Sequence, residues 1–136
     1  IEKLYAASQA GVKVRLIVRG ICCLVPGVKG LSENIEVKSV VGRFLEHSRI
    51  YLFHNNANPR IFLSSADWMM RNFDRRIELL FEISRGEIKE HLSELLNIYW
   101  KDEVKSRYLE VNKTYHRPKE EGKFNAQEHL ISHYKG

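Results

Sequence analysis

A chain of 136 residues, 43% hydrophobic and carrying a net charge of +5, has about one domain's length and enough apolar sequence to build a core. It lacks any run of about 18 or more apolar residues, which excludes a transmembrane helix, and no signal peptide is read at its start. Its two cysteines, Cys22 and Cys23, are adjacent. That spacing offers neither a CxxC metal site nor a favourable disulfide, so both are expected as small, buried or half-buried thiols.

The charge is concentrated. Residues 13–76 hold eleven Lys/Arg against five acids, a local net of +6 that exceeds the net of the whole chain. Most of these cations are arginine, whose fork of donors suits bidentate phosphate contacts. A polyanionic partner is expected from this, with a merely solvated basic face as the plain alternative.

In chain order, residues 1–10 read as the end of an amphipathic helix stopped by Gly11, as though the chain began inside an element of a longer protein. Residues 12–18 alternate and then become wholly apolar, which predicts a strand entering a core. Arg19 stands where that strand gives way to a long loop over 19–34, containing Pro26, Gly27 and Gly30. Loops of this length at a strand end often carry function, and ligands of open α/β sheets gather at the carboxyl ends of strands.

Residues 35–41 predict a second strand. The segments 50–53 and 60–64 predict a hairpin joined by the Asn-rich loop 54–59. Residues 76–83 alternate again, with Ile77, Leu79, Phe81 and Ile83 on one face. The period then changes. Ser84 and Glu87 fit a capping box, and Ile88, Leu92, Leu95, Leu96 and Tyr99 predict one amphipathic helix over 85–101. The charged stretch 101–123 predicts a loop with a short irregular strand around 108–111. Asn125 is placed to cap a last helix to Tyr134, with Leu130, Ile131 and Tyr134 facing inward.

The chemistry concentrates around His47-Ser-Arg49, just before the apolar run 50–53. A histidine can give or take a proton near neutrality or attack phosphorus, and a neighbouring cation can hold a phosphate oxygen. Ser64, Ser65 and Asp67 lie where the paired strand ends. They are read as fixing the turn and orienting neighbours, and Trp68 as a packing residue. His91, His116, His129 and His133 are expected at the solvent.

This stretch resembles the phospholipase D signature of His-x-Lys, an Asp five residues later and a downstream Gly-Ser-x-Asn turn. Here His47 takes the histidine position, Arg49 stands for the lysine, His54 for the aspartate, and Ser64-Ser65-Ala66-Asp67 for the turn. A narrower resemblance is carried by four ordered blocks. These are Leu16–Leu24, Pro26–Ile35, Ser39–Ile50 (Ser-Val-Val-Gly-Arg-Phe-Leu-Glu-His-Ser-Arg-Ile) and Leu63–Asn72 (Leu-Ser-Ser-Ala-Asp-Trp-Met-Met-Arg-Asn), followed by Asp74-Arg-Arg76. Together they look like the C-terminal domain of bacterial polyphosphate kinase.

The resemblance implies an α/β, phospholipase D-like fold, a mixed sheet flanked by helices, with residues 1–136 as one domain. It implies reversible transfer of the terminal phosphate of ATP to polyphosphate through a phosphohistidine on a domain outside this chain. By motif position Arg19 and His47 would contact ATP phosphates, with His47 as the catalytic histidine that assists the leaving phosphate oxygen. Arg43, Arg49, Arg71, Arg75 and Arg76 are candidates to line the polyphosphate path. No metal ligands are read in this chain, and Mg²⁺ would be held mainly elsewhere. Further expectations are contact with the preceding domains, a homo-oligomer, a cytoplasmic location open to peripheral membrane association, and no activity of this chain alone. Two rivals stand beside this reading. One is a dimeric phospholipase D-type phosphodiesterase or nuclease, against which the Lys and Asp replacements argue. The other is a non-catalytic module that binds polyanions.

Overall fold

Helix α1 (Glu2–Gln9) stops where the sequence predicts. Gly11 takes a φ of +85°, a left-handed turn that glycine adopts without steric cost. The computed structural model describes residues 1–118 and 121–135; Lys119 and Glu120, within the predicted charged loop, lie outside the described residues. The chain divides into two compact units, Ile1–Glu46 with Ile98–Gly136, and His47–Asn97.

The first unit is built on a mixed four-stranded sheet in the order β1 (Val14–Ile17), β2 (Ile35–Val40), β6 (Ser106–Leu109), β7 (Tyr115–His116). Strands β1 and β2 run parallel, with Val14 opposite Ile35 and Ile17 opposite Lys38. The other pairings are antiparallel. Leu24, Ile35, Val37 and Leu109 are buried together, with Leu4, Tyr5, Val14, Leu16, Val18 and Cys22 packed against them. The alternation of β1 and β2 thus delivers one apolar face to α1 and the long loop.

That loop is pinned at several points. The Ser32 hydroxyl donates to Val25 O at 2.6 Å and accepts from Val28 N at 3.0 Å. The Tyr5 hydroxyl accepts from Val25 N at 2.9 Å. Asn34 is tied to Ser8 through both its backbone N–H and its side-chain amide. Cys22 is half-buried and Cys23 exposed, both free thiols; burial pushes the Cys22 thiol up.

The charged stretch departs from expectation. The predicted irregular strand at 108–111 is instead β6 at Ser106–Leu109, and β7 is an additional strand. The reason lies in Lys38 and Asp102. Lys38 is buried opposite Tyr108, between the Trp100 and Tyr108 rings at 5.6 and 5.1 Å. Its ammonium donates to the carbonyls of Trp100 at 2.5 Å and Asp102 at 2.7 Å. Burial draws its pKa down, with Asp102, Glu103 and Glu36 pulling the other way. The buried Asp102 carboxylate accepts from Lys105 N, Ser106 N and Ala126 N at 2.7–2.8 Å. One side chain therefore starts β6 and receives the first N–H of helix α4 (Ala126–Tyr134). Asn125 caps α4 as predicted, its side chain accepting from Gln127 N and Glu128 N. Leu130 and Ile131 are half-buried, but Tyr134 is exposed; the deeply buried α4 residues are Ala126 and Gln127 at its start.

The second unit carries an antiparallel sheet of β3 (Ile50–Phe53), β4 (Arg60–Ser64) and β5 (Leu80–Glu82). The predicted hairpin pairs Ile50 with Leu63 and Phe53 with Arg60. Its loop holds Asn55, Asn56 and Ala57 in succession at positive φ. Helix α2 (Met70–Arg75), absent from the sequence expectation, follows the Ser64–Asp67 turn. The predicted strand over 76–83 shrinks to Leu80–Glu82, which pair in register with Phe62–Ser64 of β4. Ile77, Leu79 and Phe81 are exposed rather than turned into a buried face. Helix α3 (Gly86–Lys101) matches the predicted amphipathic helix, with Leu92 buried. Among the described residues no helix is long and apolar enough to cross a membrane.

Candidate functional site

Strand β3 and the turn after β4 bring His47, Arg49 and Asp67 together. Arg49 reaches the Asp67 carboxylate through Nε at 3.0 Å and Nη2 at 2.8 Å, and only 17% of its side chain is exposed. Its Nη1 also donates to the His47 carbonyl at 2.9 Å. The His47 ring lies beside the guanidinium, with Nδ1 3.0 Å from Nη1 and Nε2 3.2 Å from Nη2. Arginine offers donors only, so the ring nitrogen that takes the bond does so as an acceptor and the other carries the proton. Two donors converging on the one oxygen Oδ1 of a partly buried Asp67 fix Arg49, and Arg49 in turn fixes the ring.

The turn that carries Asp67 is itself braced. Ser64 Oγ accepts from Ala66 N at 3.0 Å, and Asn72 Nδ2 donates to the Asp67 carbonyl at 3.1 Å. Ser65 Oγ bonds Glu78 and accepts from Leu79 N at 3.0 Å. The serines and Asp67 therefore orient their neighbours, as read from the sequence. His54, at the position of the phospholipase D aspartate, is exposed and accepts from Ala57 N at 3.3 Å.

Trp68 is not interior packing. It is exposed and stacks on Tyr51 at 5.6 Å, where burial pushes the Tyr51 hydroxyl up. Both rings line an open cavity of about 460 Å³ with Phe53, Phe62 and Phe73. Asn72 Oδ1, buried beside it, has no partner among the described residues.

Arg19 belongs to the first unit, whereas His47 opens the second. Arg19 is exposed, and its Nη1 donates to the carbonyl of Glu46 at 2.6 Å. Arg43 is exposed over the Phe44 ring at 5.4 Å. Arg71, Arg75 and Arg76 are exposed on or just after α2. Arg43, Arg71, Arg75 and Arg76 make no ion pair among the described residues, while Arg15 and Arg60 are paired with Glu36 and Glu82. The basic excess is thus smaller at the surface than the count suggests, since Lys38 is interior. His91, His116, His129 and His133 are all exposed; His116 pairs with Glu110 at 2.9 Å.

Sequence reasoning missed Gln127. It is 3% exposed, and its amide bonds both backbone groups of Phe44 and the Glu46 carboxylate. A polar residue at the start of a predicted helix gives no signal of such a distant partner. Among the described residues no group of three or more His, Cys, Asp or Glu is placed to hold a metal ion.

A mixed sheet with flanking helices, joined to a His-x-Arg motif that enters a hairpin, defines a phospholipase D-like domain. The comparisons narrow this. The family model described as "Polyphosphate kinase C-terminal domain 2" matches residues 1–127. Polyphosphate kinase of Staphylococcus haemolyticus (strain JCSC1435) is 57% identical over 116 residues, covering 85% of this chain and 16% of that protein. The Staphylococcus epidermidis (strain ATCC 12228 / FDA PCI 1200) polyphosphate kinase is 52% identical over 132 residues, 96% of this chain and 18% of its own length. The crystal structure of polyphosphate kinase from Porphyromonas gingivalis superposes with a TM-score of 0.91 at 39% identity, over 98% of this chain and 21% of that one. This chain belongs to the polyphosphate kinase C-terminal domain 2 family, and it spans less than a quarter of the length of each of these relatives.

Proposed function

We propose that this domain supplies phosphate contacts to a polyphosphate kinase that moves the terminal phosphate of ATP reversibly onto polyphosphate. The observation that carries the reading is the family match over residues 1–127, which contains both Arg19 and the His47-Ser-Arg49 motif. Phosphoryl transfer asks a protein mainly for positioned cations and proton management. Arg19, always charged, would hold phosphate oxygens of ATP. His47 would polarise the bridging oxygen through its ring N–H as ADP leaves. Arg49, anchored on Asp67, would keep the imidazole oriented for that contact. Arg43, Arg71, Arg75 and Arg76 would line the polyphosphate path, with Arg49 adding its charge beside His47.

The phosphate-carrying histidine would lie outside residues 1–136, so this chain alone would be inactive. Mg²⁺ would be held by groups beyond it, in a cytoplasmic homo-oligomer. The test is to incubate the full-length kinase with ATP and map the phosphorylated residue by mass spectrometry under alkaline conditions that preserve phosphohistidine. Phosphate on a histidine outside residues 1–136 is the expected result. Phosphate on His47 would overturn the assisting role.

A further inference from the structure

The segment Phe44-Leu45-Glu46 belongs to no strand or helix, yet side chains distant in sequence hold it in place. Gln127 Oε1 accepts from Phe44 N at 3.0 Å. Its Nε2 donates to Phe44 O at 2.9 Å and to Glu46 Oε1 at 2.5 Å. A primary amide has two N–H donors and one oxygen acceptor, and this buried one directs all three groups at residues 44–46. Burial and then the neighbouring Glu46 carboxylate raise the pKa of the Tyr99 hydroxyl, which places that ring beside the gripped segment. Gly42 makes the room, since a Cβ there would stand 2.3 Å from Gln127 Oε1. The backbone carbonyl of the gripped Glu46 in turn receives Arg19 Nη1 at 2.6 Å.

We infer that Gln127 is a positioning residue for Arg19, acting through Glu46. The inference rests on the proposed reading of Arg19 as a phosphate contact. A long exposed guanidinium loses rotamer freedom when it engages phosphate. An arginine already fixed by one donor on a rigid carbonyl has less to lose and presents its remaining donors in a set direction. Gln127 makes that carbonyl rigid by holding both backbone groups of Phe44 and the carboxylate of Glu46. Gly42 is required for the amide to reach them. A side chain that merely packed would leave Arg19 indifferent to its removal.

The test is a double-mutant cycle in the full-length kinase, with kcat and KM for ATP measured in polyphosphate synthesis. Arg19→Ala is expected to lower kcat/KM on the order of 100-fold. Gln127→Ala is expected to lower it on the order of tenfold, falling on the same parameter as Arg19→Ala. In the Arg19→Ala background Gln127→Ala should add almost nothing, because the group it positions is gone. Gly42→Ala, which presses a methyl on the amide, should repeat both results. Tyr99→Phe should do so more weakly. These two variants read the same cycle should Gln127→Ala not fold. Losses that multiply independently, or a Gln127→Ala enzyme with wild-type KM and kcat, would overturn the inference while leaving the role of Arg19 intact. Wild-type kinetics of Arg19→Ala would instead remove the phosphate reading of Arg19, and the inference with it.

Discussion

The two units of this domain are held by different means. In the first, the apolar face of the sheet closes on α1 and the long loop, and polar residues drawn inside are held by hydrogen bonds: Lys38 on two carbonyls, Asp102 on three backbone N–H groups, Gln127 on Phe44 and Glu46. In the second, Ile61, Ala66 and Leu92 are the buried hydrophobic residues, while Phe53, Trp68, Met70, Phe73, Ile77, Leu79 and Leu80 stand exposed. Its order comes from hairpin ladders and from surface or half-surface pairs such as Arg49–Asp67 and Arg60–Glu82. The unit with the interior polar hubs is the more expensive to perturb, and the unit with the His-x-Arg motif is the one tied together near water.

The largest effect expected from that contrast is at Asp102. Asp102→Ala strands three backbone N–H groups and removes the compensating charge beside buried Lys38, and should destabilise the first unit by about 3–5 kcal/mol. Asp67→Ala breaks a more exposed pair and should cost about 1–2 kcal/mol in the second unit. Urea denaturation with amide exchange resolved by residue reads each unit separately. Equal losses at the two sites would break the comparison. A smaller effect sharpens it: Ala57 sits at a φ of 63°, where a side chain is strained, so Ala57→Gly should stabilise the hairpin by up to about 1 kcal/mol.

The smallest effect is one of pH. Burial, then the Glu46 bond, raise the Tyr99 pKa well above its ordinary value of 10.0. Burial also raises Tyr108. A tyrosine raised in the folded state contributes stability that is present below pH 10 and is lost as the pH climbs above it, because the unfolded chain ionises first. Alkaline denaturation of the first unit should therefore steepen above pH 10, and Tyr99→Phe should flatten that slope. An unchanged slope in the variant would remove Tyr99 from the account.

What was legible in the sequence follows the same division. Alternation gave β1 and β2, short apolar runs around an Asn-rich loop gave the 50–64 hairpin, helical period gave α3, and Asn125 marked the start of α4, because each signal is local. Helix α2 was hidden: six residues are too few to show a period, and no side-chain cap announces it. Strands β6 and β7 lie in charged sequence and depend on Lys38 and Asp102, whose partners are more than 60 residues away or across a loop. Of the candidate site, the motif residues His47 and Arg49 were visible as a spacing, and the role of Asp67 as a turn residue was anticipated. Its two-donor hold on Arg49, and the grip of Gln127 on the segment before His47, come from long-range pairing that no window of sequence contains.

The central claim is that Arg19 and His47 serve phosphoryl transfer from within this domain. The direct measurement is ATP-dependent polyphosphate synthesis by the full-length kinase carrying Arg19→Ala or His47→Ala, with folding checked by thermal denaturation. Each substitution should lower kcat/KM for ATP by about 100-fold or more without loss of fold. Synthesis near the wild-type rate in both folded variants would contradict the account.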